Sequence, residues 1–187
     1  MLKYFAHTFS KYYEFMLTDI TRLEEILKSG FVLSRRKLNL PLKDALFNGM
    51  DYISLCDLEK EHQHNSAYNL YVKSGVSLLF SKDLKVIHPQ IITLDKRHPN
   101  LRGMVHRLGM NGRYSDLSDE VQVKDSISLD YLKGLLVSIE AMKESHSDRY
   151  NMEFLMVMKE LLLDYNRDVP IINLDDEKGI KIYEKNL

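Results

Sequence analysis

Apolar residues first recur with a helical period near the start of the chain. Between Ile20 and Leu27 they stand three or four positions apart, which places them on one face of a helix. Thr18 is suited to the N-cap, where its hydroxyl can accept a free backbone N–H, and Gly30 suits the left-handed position that ends a helix. The pattern therefore predicts a helix from about Thr18 to Gly30.

The middle of the chain carries short apolar runs bounded by turn residues, a pattern typical of strands. The predicted strands are 31–34, 52–55, 75–80, 86–92 and 120–123. Residues 95–119 are rich in Gly and Arg and poor in large apolar side chains, which predicts a long polar loop. Long loops in compact domains are often functional.

Helical spacing returns over 128–142 and 150–165, and the runs 169–172 and 180–183 predict a terminal hairpin. The chain has 187 residues, of which 44% are hydrophobic, enough to bury one sizeable core. Strands and helices in this arrangement indicate a single α+β domain over 1–187.

Charge and composition limit the binding partners and the cellular compartments that we expect for this chain. The formal net charge is −1, so the chain as a whole does not have the excess of basic residues typical of nucleic-acid or membrane binding. No run approaches the roughly 20 apolar residues of a membrane helix, and the first residues lack the pattern of a secretory signal. A single cysteine, Cys56, cannot form an internal disulfide. We expect a cytoplasmic protein, or one injected into a host cell without such a signal.

The order of several short motifs resembles the ADP-ribosyltransferase-like superfamily, especially its small bacterial members, some of which are toxins. Residues 15–18 stand before a Leu-Glu-Glu-Ile-Leu helix that ends in glycine, at 23–30. A Tyr-x-Ser strand follows at 52–55. Glu120 then follows Asp119 and opens the strand 120–123, and an Ile-x-Leu-x-Tyr segment follows at 127–131. The resemblance covers about 13–132 and leaves 133–187 as a helical and hairpin extension.

This resemblance implies a split β-sandwich of short, mostly antiparallel strands with flanking helices, and NAD as co-substrate without a metal. Cleavage of the bond to nicotinamide produces a positively charged ribose, which a nearby carboxylate stabilises. Glu120 is the catalytic candidate that the resemblance implies. The positions that it implies for NAD binding are Thr18, Arg35, Arg36, Tyr52 and Ser54. Hydroxyl and aromatic groups would orient the nicotinamide half, and an arginine fork would hold the pyrophosphate.

A macromolecular acceptor, either protein or nucleic acid, is expected to meet the long loop. Its candidate contacts are Arg102, Arg107 and Arg113, which stand among glycines ahead of Glu120. Ser118 stands two positions before Glu120, where arginine-modifying members have a second glutamate, so an arginine acceptor is disfavoured.

Three functions remain open at this point. Met16 stands where the superfamily has histidine or arginine, and His7 could replace it only across an insertion. The fold could therefore serve as a catalytically inactive module that binds a nucleotide or a protein. A third possibility is an interaction protein that uses the helix 150–165. A zinc site at Cys56, His62 and His64 is disfavoured because no fourth ligand stands at a familiar spacing.

Overall fold

The computed structural model describes residues 10–17, 20–39, 51–59, 75–87, 120–145, 152–175 and 181–183, with the backbone alone at positions 16, 120, 144–145, 152 and 181–183. The helices are α1 (Arg22–Ser29), α2 (Ile139–Ser145) and α3 (Met152–Asp164). The strands are β1 (Tyr12–Met16), β2 (Phe31–Leu33), β3 (Tyr52–Asp57), β4 (Val76–Ser81), β5 (Glu120–Lys124), β6 (Ser126–Ser128), β7 (Leu132–Val137), β8 (Ile171–Asn173) and β9 (Lys181–Tyr183).

The strands form one large sheet and one small ribbon. The large sheet has seven strands in the order β5-β3-β1-β4-β7-β8-β9, and β2 pairs with β6 in the ribbon. Every neighbouring pair is antiparallel except β7 and β8, which are parallel and are connected through α2 and α3. The predicted α+β class with mostly antiparallel strands is confirmed, as is the terminal hairpin, which is formed by β8 and β9.

Helix α1 ends where the sequence predicts and starts later. Gly30 has a φ of 74°, and its N–H donates to the carbonyls of Ile26 and Leu27. The helix begins at Arg22, with Thr21 rather than Thr18 as its N-cap residue. Thr18 itself lies outside the described residues. The apolar stripe of the helix is buried as expected.

The predicted helix over 128–142 is wrong for most of its length. A 3-10 turn at Leu129–Tyr131 leads into strand β7, and helix α2 starts only at Ile139. Strand β7 lies between β4 and β8, so apolar residues on both of its faces are buried. A strand buried on both faces has a continuous apolar run, which periodicity alone cannot distinguish from a buried helix.

The two faces of the large sheet have different compositions. One face, here called the core face, packs against all three described helices and the β2–β6 ribbon in a single apolar cluster. Its strand residues include Tyr13, Leu55, Leu78 and Val121. The opposite side, here called the second face, has a smaller apolar cluster around Cys56, Leu79, Leu136 and Ile172. Buried polar residues accompany that smaller cluster.

Helix α3 contributes its apolar stripe to the core. Leu155, Met158 and Leu162 are buried, with 1%, 2% and 0% exposed. The residues of this helix that face solvent include Met156 and Val157. The stripe is therefore not available as a contact surface. None of the described helices is long and apolar enough to cross a membrane.

Candidate functional site

Three neighbouring strands carry most of the candidate residues. β3 is in the middle of the three, with β1 paired to one of its edges and β5 to the other. Met16 ends β1, Tyr52 and Ser54 belong to β3, and Glu120 opens β5. These residues are far apart in sequence, and the sheet places their strands side by side.

The register of β3 with β5 fixes the relative positions of the candidates. Tyr52 pairs with Lys124, Ser54 with Gln122, and Cys56 with Glu120. Each strand residue advances about 3.4 Å, so Glu120 lies about 7 Å along the ladder from the Ser54 pair and about 14 Å from the Tyr52 pair. The structure thus brings the strand positions of Ser54 and Glu120 close together and places Tyr52 at the other end of the ladder.

Ser54 and Tyr52 are accessible to a ligand. Ser54 is exposed, and Tyr52 is half-buried. Their neighbours Ile53 and Leu55 belong to the core face, so alternation along the strand assigns both candidates to the second face. A hydroxyl and an aromatic ring therefore stand two positions apart along β3 on the second face.

Arg36 reaches the same end of the ladder as Tyr52. Its guanidinium is bound in a fork by the carboxylate of Asp51, with Nη2 at 3.2 Å from Oδ2 and Nε bound to Oδ1. The carbonyl of Asp51 also accepts the N–H of Asp125 at 2.7 Å, so the turn between β5 and β6 is tied to the start of β3. Arg36 is 64% exposed and could rotate toward a phosphate. Arg35 is half-buried beside it.

The remaining candidates fall outside the described part of the chain. These are Thr18, Arg102, Arg107 and Arg113, together with His7, His62 and His64. At Met16 the backbone register pairs the residue with Ser77 of β4. Among the described residues, no group of three or more His, Cys, Asp and Glu side chains could hold a metal ion.

Sequence reasoning missed two polar residues of the second face. Glu14 in β1 is 6% exposed, and Gln122 in β5 is 3% exposed. Glu14 pairs with Cys56, which pairs in turn with Glu120. The available signal was the single charge at Glu14 within the otherwise apolar and aromatic β1. A carboxylate buried in the middle of a sheet is costly unless it is well partnered, and such groups concentrate at functional sites.

A second charged cluster lies at the far end of β3. The ammonium of Lys82 donates to Asp57 Oδ1 at 2.8 Å and to Glu59 Oε2 at 2.7 Å, and lies 5.4 Å from the centre of the Tyr13 ring. Burial and then the charge of Asp57 raise the pKa of the Tyr13 phenol. A protonated lysine saturated by two carboxylates is a poor nucleophile or base. This cluster therefore holds the ends of β3 and β4 together.

Comparison of the chain with models of protein families, with curated proteins and with solved structures finds no match in any of the three. The functional argument therefore depends on the residues and their arrangement.

Proposed function

We propose that the chain transfers ADP-ribose from NAD to a macromolecular acceptor, protein or nucleic acid, or hydrolyses NAD, on a split β-sandwich of the ADP-ribosyltransferase type. The described strands agree with that architecture in being short and mostly antiparallel. The large sheet would be one layer of the sandwich, with the NAD site at its β1-β3-β5 side.

One observation supports this function above the others. Cys56 is the register partner of Glu120, so the strand that Glu120 opens runs beside the strand that carries Tyr52 and Ser54. The sequence motifs alone did not require these two strands to be neighbours. Their pairing brings a carboxylate position, a hydroxyl and an aromatic ring onto one ladder, as cleavage of a nucleotide glycosidic bond would use them.

The residues have distinct roles in this proposal. The bond between ribose C1′ and the nicotinamide nitrogen breaks, and nicotinamide leaves with the bonding electron pair. An oxygen or nitrogen atom of the acceptor, or water, then bonds to C1′ and loses a proton to solvent. Glu120 stabilises the positively charged ribose, and Ser54 and Tyr52 orient the nicotinamide half. Arg36, with Arg35 beside it, binds the pyrophosphate by exchanging Asp51 for phosphate oxygens.

The test measures the release of nicotinamide from NAD. Chromatography detects the nicotinamide, with and without candidate protein and nucleic-acid acceptors. We expect Glu120→Gln to reduce the rate by about 100-fold or more, because the neutral amide cannot stabilise the charged ribose. Glu153→Gln, at an exposed position of α3, is the matched control and should keep the full rate. A wild-type protein that releases no nicotinamide with any acceptor would refute the proposal.

A binding module on the same fold is the second candidate. It is favoured by Met16, a thioether residue at the end of β1, where the resemblance implies a polar ligand for NAD. Such a module would bind NAD, ADP-ribose or nicotinamide without turnover. A rise in melting temperature with one of these ligands, combined with no nicotinamide release, would support it over the enzyme.

A further inference from the structure

Helix α3 is apolar on more sides than its place in the fold requires. Most of its 13 residues are apolar, but its buried stripe consists of Leu155, Met158 and Leu162. On the opposite side Met156 is 63% exposed and Val157 is 56% exposed, the largest fractions of any large apolar residue in the described ranges. A helix that is apolar all round is typically covered on every side, whereas a solvent-facing helix surface is typically polar. Packing within the chain therefore does not account for Met156 and Val157.

The solvent-facing side of α3 combines apolar and acidic residues. Successive residues of an α-helix turn by about 100°, so five residues fall within an arc of about 120° and a length of about 12 Å. These five residues, here called the outer face, are Met156, Val157, Glu160, Leu163 and Asp164. Leu163 is half-buried and the other four are exposed. The outer face is thus one continuous surface with both kinds of side chain.

The charge of the outer face is negative and is not compensated locally. Within the described ranges, no ion pair uses Glu160 or Asp164. The one basic residue of α3 is Lys159, whose ammonium donates to Asp168 Oδ1 at 2.8 Å and to the carbonyl of Val169 at 2.9 Å. Lys159 is therefore occupied beyond the end of the helix. A partner that neutralises the outer face has to supply positive charge of its own.

We infer that the outer face of α3 binds a partner protein through a helical segment whose apolar stripe is bordered by lysine and arginine. The apolar side chains of that segment pack on Met156 and Val157. Its long basic side chains reach over them to the carboxylates of Glu160 and Asp164. This interaction goes beyond the proposed function, since it requires neither NAD nor Glu120.

The same charge argues against other occupants of the outer face. A two-fold interface with a second copy of the chain would place identical surfaces against each other, so carboxylates would oppose carboxylates. The phosphates of nucleic acid and the headgroups of anionic lipids would be repelled in the same way. Of these occupants, only a basic amphipathic segment is complementary to both the acidic and the apolar residues.

The experiment measures the binding of two fluorescently labelled synthetic peptides by anisotropy. One peptide is an amphipathic helix of leucine and lysine, and the other has glutamate at every lysine position. A contact surface of about two helical turns is small, so we expect wild type to bind the lysine peptide with a Kd on the order of 10 to 100 μM. The glutamate peptide should bind at least about tenfold more weakly. Exposed charges are screened by salt, so raising the salt concentration should weaken binding of the lysine peptide.

A first double variant tests the apolar contribution. Met156→Gln combined with Val157→Thr keeps the size of both side chains but makes them polar, and should weaken the lysine peptide by about tenfold. Ile87→Thr is the matched control, because Ile87 is also an exposed apolar residue, at 44%, but lies outside α3. The control should bind the peptide as wild type does.

A second double variant tests the contribution of charge. Glu160→Gln combined with Asp164→Asn should weaken the lysine peptide by about fivefold and reduce the effect of salt. Glu24→Gln combined with Glu25→Gln makes the same change in net charge at exposed positions of α1 and should leave binding unchanged. Circular dichroism checks that each variant is folded. If the apolar variant does not fold, the charge variant and its salt dependence decide the outcome.

Several results would overturn the inference. Among them are equal binding of the two peptides, binding of neither, and losses in the control variants as large as those in the outer-face variants. A wild-type dimer in analytical ultracentrifugation that Met156→Gln with Val157→Thr dissociates would assign the outer face to a second copy instead. Binding of the lysine peptide that depends on the outer face supports the inference whether or not the protein releases nicotinamide from NAD.

Discussion

Gly75 lies against Met142 so closely that a methyl group on Gly75 would overlap with the Met142 side chain. Gly75 also has a φ of 80°, which L-residues with a side chain rarely adopt. Its carbonyl accepts the N–H of Ser138 at 2.8 Å. The start of β4 and the first turn of α2 therefore meet at a position that only glycine fits.

We expect Gly75→Ala to lower the free energy of unfolding by about 2 to 5 kcal/mol, from the left-handed backbone and the overlap together. Gly30→Ala is the matched control, because its φ is 74° and nothing lies within 4 Å of the added methyl group. That change should cost about 1 to 2 kcal/mol. Urea denaturation measures both, and equal losses would contradict the overlap with Met142.

Lys82, directly after β4, neutralises a buried carboxylate at the end of β3, with β1 between the two strands. Asp57 is 7% exposed, and the Lys82 ammonium is 2.8 Å from it. Lys82→Met keeps most of the side-chain length but leaves Asp57 without this partner, so we expect the free energy of unfolding to fall by about 1 to 3 kcal/mol. Lys85→Met removes the same charge from an exposed position. A similar loss in Lys85→Met would attribute the effect to net charge.

The stabilisation by Lys82 should depend on pH at both extremes. Burial lowers the pKa of Lys82, but its hydrogen bonds to Asp57 and Glu59 outweigh burial and leave the pKa raised. The contribution is thus complete below about pH 10 and is lost as pH rises through the folded-state pKa. The hydrogen bond from Lys82 lowers the pKa of Glu59. The stabilisation that comes from the Lys82–Glu59 pair is therefore present above about pH 5 and is lost as pH falls.

The difference in unfolding free energy between wild type and Lys82→Met should therefore be largest between about pH 5 and pH 10. Urea denaturation of both proteins across this range gives the difference directly. A difference that grows above pH 10 would contradict the sign of the Lys82 shift.

Asp175 fastens the start of α2 to the end of β8. Its Oδ1 accepts the Ser138 hydroxyl at 2.7 Å, and its Oδ2 accepts the N–H groups of Ile139 and Glu140. Asp175→Ala should lower the free energy of unfolding by about 1 to 3 kcal/mol, since it leaves helix N–H groups without an acceptor. Asp164→Ala, exposed at the end of α3, should change it by less than about 0.5 kcal/mol.

A double-mutant cycle separates the stabilisation by the Ser138 cap from the stabilisation by the hydrogen bonds of Asp175. Ser138 also accepts the N–H of Ala141 at 3.1 Å, so Ser138→Ala removes a cap and the contact with Asp175 together. If the two residues act as one unit, the losses in the double variant will be clearly less than additive. Additive losses would show that Asp175 acts on the backbone alone.

Local pattern predicted the short strands well. The runs 31–34, 52–55, 75–80 and 120–123 are strands within one or two residues of the predicted bounds, because turn residues border each of them. The predicted continuation over 86–92 is reduced, in its described part, to a single bridge between Ile87 and Gln122. The strands that carry the candidate site could be predicted from the sequence. The burial of Glu14 could not, because it depends on neighbouring strands that the sequence does not reveal.

By itself the sequence determined what depends on residues close along the chain: the α+β class, the left-handed end of α1 at Gly30, and most of the strands. The tertiary structure decided which strands are neighbours and in what register, and it alone made Cys56 the common partner of Glu14 and Glu120. It also decided that 132–137 is a strand, since burial on both faces removes the alternation that would have marked it. Pairing between strands depends on contacts across long separations in sequence, which no local pattern contains.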